Sequence, residues 1–371
     1  MMLSKPERFF LYLLQFSVNN APVNQEWDGL PPEDWPDVFH LAERHGLVAL
    51  LMDILGKIRL KRTPPSSLLL HWLGQAAYRE RICRYQFKLS CEFAECLRKE
   101  DIKCIVLKGL ALASYYPDFS KREFGDLDCY LIKNKNNVAN EGDLLAKRLG
   151  WNVEEAGYKH SHIRYKELLI ENHHFLTNFN QTKQGIKIER ILRQLALEGR
   201  ENRMGETNLW KPSPEFQAIF YLKHSLGDFI AQDMSLKAIY DWAVFLKNEQ
   251  AAIDWDMMTD LLEQCRLRRF FDLITEACIT YLGLEIDRNA FTVRSDRGMV
   301  DDMLVDILKK PTMNSGQLGI LQKIPHILKR FRRQIYYRGI NTERPFTLIW
   351  NTIVYSSYFN RRITTWNQQW K

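Results

Sequence analysis

One strand-like segment constrains this chain more than any other. Phe124-Gly125-Asp126-Leu127-Asp128-Cys129-Tyr130-Leu131-Ile132 is an apolar run interrupted by two aspartates one residue apart. Strand interiors are depleted in aspartate, so two of them need a reason. Successive strand side chains point to opposite faces, which sets Asp126 and Asp128 side by side on one face. Adjacent carboxylates repel unless a cation lies between them. Magnesium takes hard oxygen ligands and shares them with substrate phosphates, so the pattern points to metal-assisted chemistry on a nucleotide. The competing interpretation is a strand end whose acids face solvent and pair with Arg122.

The segment upstream supports the first interpretation. Residues 102–107 (Ile-Lys-Cys-Ile-Val-Leu) predict a short buried strand that breaks at Lys108-Gly109, with a helix over 110–116 closed by Pro117-Asp118. A glycine there lets the backbone approach a phosphate, and the start of the following helix favours anions. Lys108 would neutralise phosphate charge as a point cation. A plain strand-to-helix turn is the alternative. Arg122 is a candidate either to hold a triphosphate or to brace the aspartates.

A two-metal site, with ions ~3.5–4 Å apart, generally wants a third carboxylate. Glu171 is the best candidate. It sits within Leu168-Leu169-Ile170-Glu171-Asn172-His173-His174-Phe175-Leu176, a predicted strand that follows another over 158–165 across a tight turn near Lys166-Glu167. Glu171 is also placed to serve as a general base. Glu189, in a stretch ambiguous between strand and helix, competes with it. His160, His162, His173 and His174 invite a zinc interpretation, but no cysteine or third ligand falls at a zinc-like interval. They are expected to line a polar strand face, with His162 and His173 as candidate substrate contacts. No G-x-S-x-G, Walker A or G-x-G-x-x-G pattern occurs, so serine hydrolase, P-loop and dinucleotide-binding classes lose support.

Around this core the chain reads as helical. Pro31-Pro32 and Pro64-Pro65 mark helix starts, and apolar residues recur at helical spacing from about 67 to 99. Ser213-Pro214-Glu215 has a helix-start pattern, and several helices follow to about 284, with another over 301–309. Helices, a compact mixed sheet and more helices make an α+β fold. The expected organisation is an N-terminal helical region (1–100), an α/β core (101–205), a C-terminal helical domain (206–310) and a basic, aromatic helical tail (311–371).

Composition bounds the partners. With 52 basic and 45 acidic residues among 371, the net charge of +7 suits anionic ligands but does not by itself indicate nucleic acid. The excess gathers at the end, where Lys323, Lys329, Arg330, Arg332, Arg333, Arg338, Arg361 and Arg362 interleave with Phe331, Tyr336, Tyr337 and Tyr358. Such a mixture contacts phosphates and stacks bases, so residues 322–371 are a candidate nucleic-acid surface; an amphipathic helical cap is the alternative. Seven cysteines, none spaced C-x-x-C, read as buried reduced thiols. The absence of a secretory pattern and of ~20-residue apolar spans leads to the expectation of a cytoplasmic protein without a membrane partner.

Taken together, these residues resemble the nucleotidyltransferase superfamily, and within it an uncharacterised bacterial nucleotidyltransferase-like family whose glycine motif begins Lys-Gly. The likeness runs through Leu107-Lys108-Gly109-Leu110, Tyr116-Pro117, Arg122, Gly125-Asp126-Leu127-Asp128, Lys159-His160-Ser161-His162 and Ile170-Glu171-Asn172-His173. It continues at Ser213-Pro214-Glu215, His224 and Lys237 to Trp242, covering roughly residues 70–250. The resemblance implies a mixed-sheet core that moves an NMP from an NTP, such as ATP, to an acceptor hydroxyl. It places Asp126, Asp128 and Glu171 on the metal-binding and catalytic acids, with two Mg2+ ions (or Mn2+). It places Lys108 and Gly109 at the triphosphate. Lys237 and Asp241, four residues apart on a predicted helix, share a face; they are candidates to close over the nucleotide, or else an exposed ion pair. The acceptor is open between a small molecule, a protein and an RNA. A catalytically degenerate nucleotide- or partner-binding protein is the alternative to an enzyme.

Overall fold

The computed structural model describes residues 3–19, 27–177, 182–199, 202–231, 234–309, 335–337 and 339–340. The basic tail therefore lies outside the described residues, apart from Tyr336, Tyr337 and their immediate neighbours. Four helices come first: α1 (Lys5–Asn19), α2 (Trp35–His45), α3 (Val48–Lys57) and α4 (Ser66–Arg98). The paired prolines stand just before α2 and α4, where a missing N–H costs nothing. Gly46 ends α2 in the left-handed conformation at φ 64°, which a residue without Cβ adopts freely.

The sheet region follows in the order β1 (Lys103–Val106), α5 (Lys108–Ala113), β2 (Asp126–Lys133), β3 (Asn136–Asn137), α6 (Ala139–Arg148), β4 (Asn152–Ala156), β5 (His160–Tyr165) and β6 (Leu168–His173). Then come α7 (Lys183–Glu198), β7 (Asn202–Arg203) and β8 (Leu209–Lys211). The remaining helices are α8 (Pro214–Ala231), α9 (Leu236–Glu249), α10 (Trp255–Cys265), α11 (Arg268–Leu282) and α12 (Arg297–Leu308). The architecture is α+β, a mixed eight-stranded sheet flanked by helices.

The strands lie in the order β4-β5-β6-β2-β1-β8-β7, with β3 pairing the end of β2. Two pairings are parallel, β2 with β6 and β1 with β8; the rest are antiparallel. The β5–β6 hairpin turns at Lys166, which takes φ 52°. The polar residues 134–140 read as a turn from their composition, yet Asn136–Asn137 pair with Ile132 and Lys133. The ambiguous stretch at 185–190 is helical: Thr182 caps α7 by accepting from Gly185 N at 2.9 Å.

The pleat sorts side chains into two cores. Leu127, Cys129 and Leu131 of β2 pack with Cys104 and Val106 of β1 and Ile170 of β6 against Leu89, Phe93 and Leu97 of α4 and Leu145 of α6. The opposite face places Ile105 and Tyr130 in the larger core shared with α7, α8, α9 and α11. Each fully buried aliphatic or aromatic side chain contributes about 1.5–3 kcal/mol of transfer free energy, so this alternation fixes which way the strands face. All seven cysteines are unpaired, five of them buried. Among the described residues no helix is long and apolar enough to cross a membrane.

Candidate active site

Period-two alternation carries Asp126 and Asp128 onto the face opposite Leu127, Cys129 and Leu131. The parallel register of β2 and β6 sets Asp128 directly against Glu171, and the antiparallel register of β5 and β6 sets His162 against Glu171 and His160 against His173. Cross-strand partners share a face, so two aspartates, one glutamate and three histidines gather at one place. One ligand atom from each of Asp126, Asp128 and Glu171 lies within 4.8 Å of the others, and the same holds for His160, Glu171 and His173.

Asp128 is the buried centre, 3% exposed. Its Oδ1 meets the Lys108 ammonium at 3.0 Å and His173 Nε2 at 3.1 Å. Its Oδ2 is buried and has no hydrogen-bond partner among the described residues, and the Glu171 carboxyl stands close to Asp128. Burial alone would raise its pKa, but His173 and Lys108 hold it well below the ordinary carboxylate range. Glu171 is held below its usual value chiefly by His173. Asp126 goes the other way: burial, and then the Asp128 charge, push it above 3.8. Burial works against the Lys108 charge, yet Asp128 outweighs it and raises the lysine. Burial pulls His160 down to about 4, so its imidazole is neutral near pH 7.

The other predicted site residues sort by distance from this centre. Gly109 lies beside it: a Cβ there would stand 3.7 Å from Phe124 Cβ, 3.9 Å from Asp126 O and 4.0 Å from Arg122 Nη1. These are ordinary contacts, so packing does not demand the glycine. Arg122 is buried and committed to Asp241, donating through Nε and Nη2 at 2.8 Å each. Tyr116 donates to the same carboxylate at 2.7 Å. Asp241 is therefore a buried anchor on α9, not half of an exposed pair with Lys237. Lys237 instead donates to Glu123 O at 3.1 Å.

Glu189 is turned away from the acids. Fully buried, it accepts from the Leu176 and Thr177 amides and from Thr177 Oγ1, and receives Arg193 Nε at 2.8 Å. His174 turns from the other histidines to Asp143 Oδ2 at 3.1 Å. Spacing alone does not single out His160 as a site residue; its strand partner His173 brings it to Glu171. Lys159 and His224 also stand near. Burial, then Lys108, lowers the Lys159 pKa; burial, then Lys108 and Lys159, push His224 to about 3. Lys159 stands immediately before β5, in the Lys159-His160-Ser161-His162 run that carries the resemblance.

This is a mixed-sheet protein with a carboxylate-centred site suited to a divalent cation. The family model described as "uncharacterised nucleotidyltransferase" matches residues 31–283, and the chain belongs to that family. No curated protein and no solved structure matches it.

Proposed function

We propose that the protein moves an NMP from a nucleoside triphosphate to an acceptor hydroxyl at the Asp126–Asp128–Glu171 site. The observation that carries this is the convergence of the three acids from two parallel strands, with a buried Asp128 oxygen that has no donor among the described residues. A buried acceptor left unmet is costly, and a bound cation would meet it. The donor set fits: three hard oxygen ligands suit Mg2+ or Mn2+. Asp126, Asp128 and Glu171 would hold up to two such ions, which when bound neutralise triphosphate charge and polarise phosphorus.

The chain's own groups bind and orient. Lys108 supplies a point charge to the phosphates, and the absent Cβ of Gly109 leaves the backbone beside Asp126 open to them. His162 and His173, on the same face, contact the substrate or set the Glu171 carboxylate. Arg122, Asp241 and Lys237 hold the loop from Glu123 to Asp126 against α9, so they position the acids. The acceptor oxygen bonds to the α-phosphorus as the bond to pyrophosphate breaks, and the hydroxyl proton passes to a carboxylate of the trio. Positioning and charge stabilisation do most of the work in such a transfer.

The test is transfer of an α-phosphate label from each NTP, with pyrophosphate release, in the presence of Mg2+ and an extract containing metabolites, proteins and RNA. Transfer that survives both Asp126→Ala and Asp128→Ala rejects the proposal. One observation favours the degenerate alternative: the Lys108 ammonium already sits 3.0 Å from Asp128 Oδ1, where a cation would lie. Calorimetry with ATP separates the two, since metal-insensitive binding without pyrophosphate supports a binding protein.

A further inference from the structure

The three-acid site leaves His160 of the same face unused, and the geometry around it carries a separate conclusion. We propose that His160, Glu171 and His173 form a second divalent-cation site of mixed nitrogen and oxygen character, which prefers a first-row transition ion such as Mn2+, Co2+ or Zn2+ to Mg2+. It rests on the nucleotidyl-transfer reading only in that Glu171 and His173 serve both sites.

The first ground is separation. Glu171 Oε2 stands 3.7 Å from His160 Nδ1 and 3.8 Å from His173 Nε2. Both are too long for hydrogen bonds. Two ligands each ~2.1 Å from one ion lie about 3–3.5 Å apart, so the groups stand a few tenths of an ångström outside a coordination shell.

The second ground is orientation. His173 is fully buried, and its Nδ1 lies 3.1 Å from Phe175 O. A carbonyl only accepts, so Nδ1 donates to it and the ring is fixed with Nε2 turned toward Asp128 Oδ1 at 3.1 Å and toward Glu171 Oε2, where a bound cation would take the place of the contact to Asp128. Ligating histidines are characteristically oriented in this way, by donating the other ring N–H to a carbonyl.

The third ground is an orphan. His160 Nδ1 is buried without a hydrogen-bond partner among the described residues, and it faces the same Glu171 oxygen. The strand register holds both rings in place, with ring centroids 5.4 Å apart. Imidazole nitrogen suits Mn2+, Co2+ and Zn2+ far better than Mg2+, which dehydrates reluctantly and favours oxygen.

Metal-free full-length protein is titrated with Co2+ and its ligand-field absorption recorded, then challenged with a hundredfold excess of Mg2+. The expected result is a Co2+ spectrum that Mg2+ does not abolish, that persists in Asp126→Ala, and that weakens at least tenfold in affinity in His160→Ala. His160 is partly exposed at the sheet surface, and circular dichroism checks that the variant folds; His160→Gln serves if alanine does not. Co2+ bound no more tightly than Mg2+, or bound unchanged by the His160 variant, overturns the proposal and leaves His173 as a hydrogen-bond partner of Asp128 alone. Failure of label transfer alone removes the enzymatic reading and leaves this site standing.

Discussion

Two buried charge clusters sit on either side of the 122–128 segment, and they are built to opposite rules. Arg122, Asp241 and Tyr116 form a closed set. The guanidinium meets the carboxylate with two bonds of 2.8 Å, and the phenol takes a third position at 2.7 Å. The acids of β2 and β6 form an open set: Lys108 and His173 both meet a single oxygen of Asp128, like charges stand side by side, and atoms of Asp128, His160 and His162 have no hydrogen-bond partner among the described residues. Burying a charge is expensive unless it is paired and hydrogen-bonded. The first cluster meets that demand internally, so it reads as architecture. The second does not, so it reads as a place kept for something the chain itself does not supply.

That contrast is most open to attack at the open cluster. Asp128→Ala is expected to lower α-phosphate transfer ~10³-fold or more, about 4 kcal/mol of barrier, while circular dichroism shows the fold retained. Transfer within tenfold of wild type would make the acids structural and erase the distinction.

The closed cluster predicts the reverse pattern. Asp241→Ala strands the buried Arg122 charge and should destabilise the protein by about 3–5 kcal/mol in urea unfolding. Replacing both partners with apolar residues should recover most of that loss. A single mutant within 1 kcal/mol of wild type would show that the pair holds nothing together. Tyr116→Phe removes one hydrogen bond from the same carboxylate and should cost about 1–2 kcal/mol.

The smallest effect is the sharpest in sign. Burial, then Asp128, raises the Asp126 pKa above 3.8. An acid raised in the folded state contributes stability below its unfolded pKa and loses it as pH rises through the folded value. At neutral pH the charged Asp126 therefore burdens the metal-free protein. Asp126→Asn should raise its stability by about 1 kcal/mol, the figure reduced for partial exposure. Mg2+ should raise the melting temperature of the wild type and leave that of Asp126→Asn unmoved. A less stable Asp126→Asn would mean that the site is as self-sufficient as the Arg122 cluster.

Local rules account for what was legible. Proline pairs ahead of α2 and α4, the Ser213 cap that accepts from Phe216 N at 3.2 Å, and the alternation in β2, β5 and β6 are all properties of neighbouring residues. β8 is not legible in the sequence because three residues, Leu209–Lys211, carry too little periodicity; parallel pairing with β1 defines them. In one dimension Arg122 and Asp241 read as candidate ligand contacts because a charged residue near a motif shows no partner there. Their actual partners are each other, across more than a hundred positions.

The amino-acid order alone determined that Asp126 and Asp128 share a face, because a strand's pleat repeats every two residues whatever surrounds it. It also determined an α+β composition of elements, through hydrophobic period and turn chemistry. Tertiary structure decided which acid joins them. Glu171 and Glu189 are equally acidic, but strand register sets one opposite Asp128 and helix packing sends the other to cap a loop. Register is chosen by burial of the opposite face, a sum over many distant contacts that no local window contains.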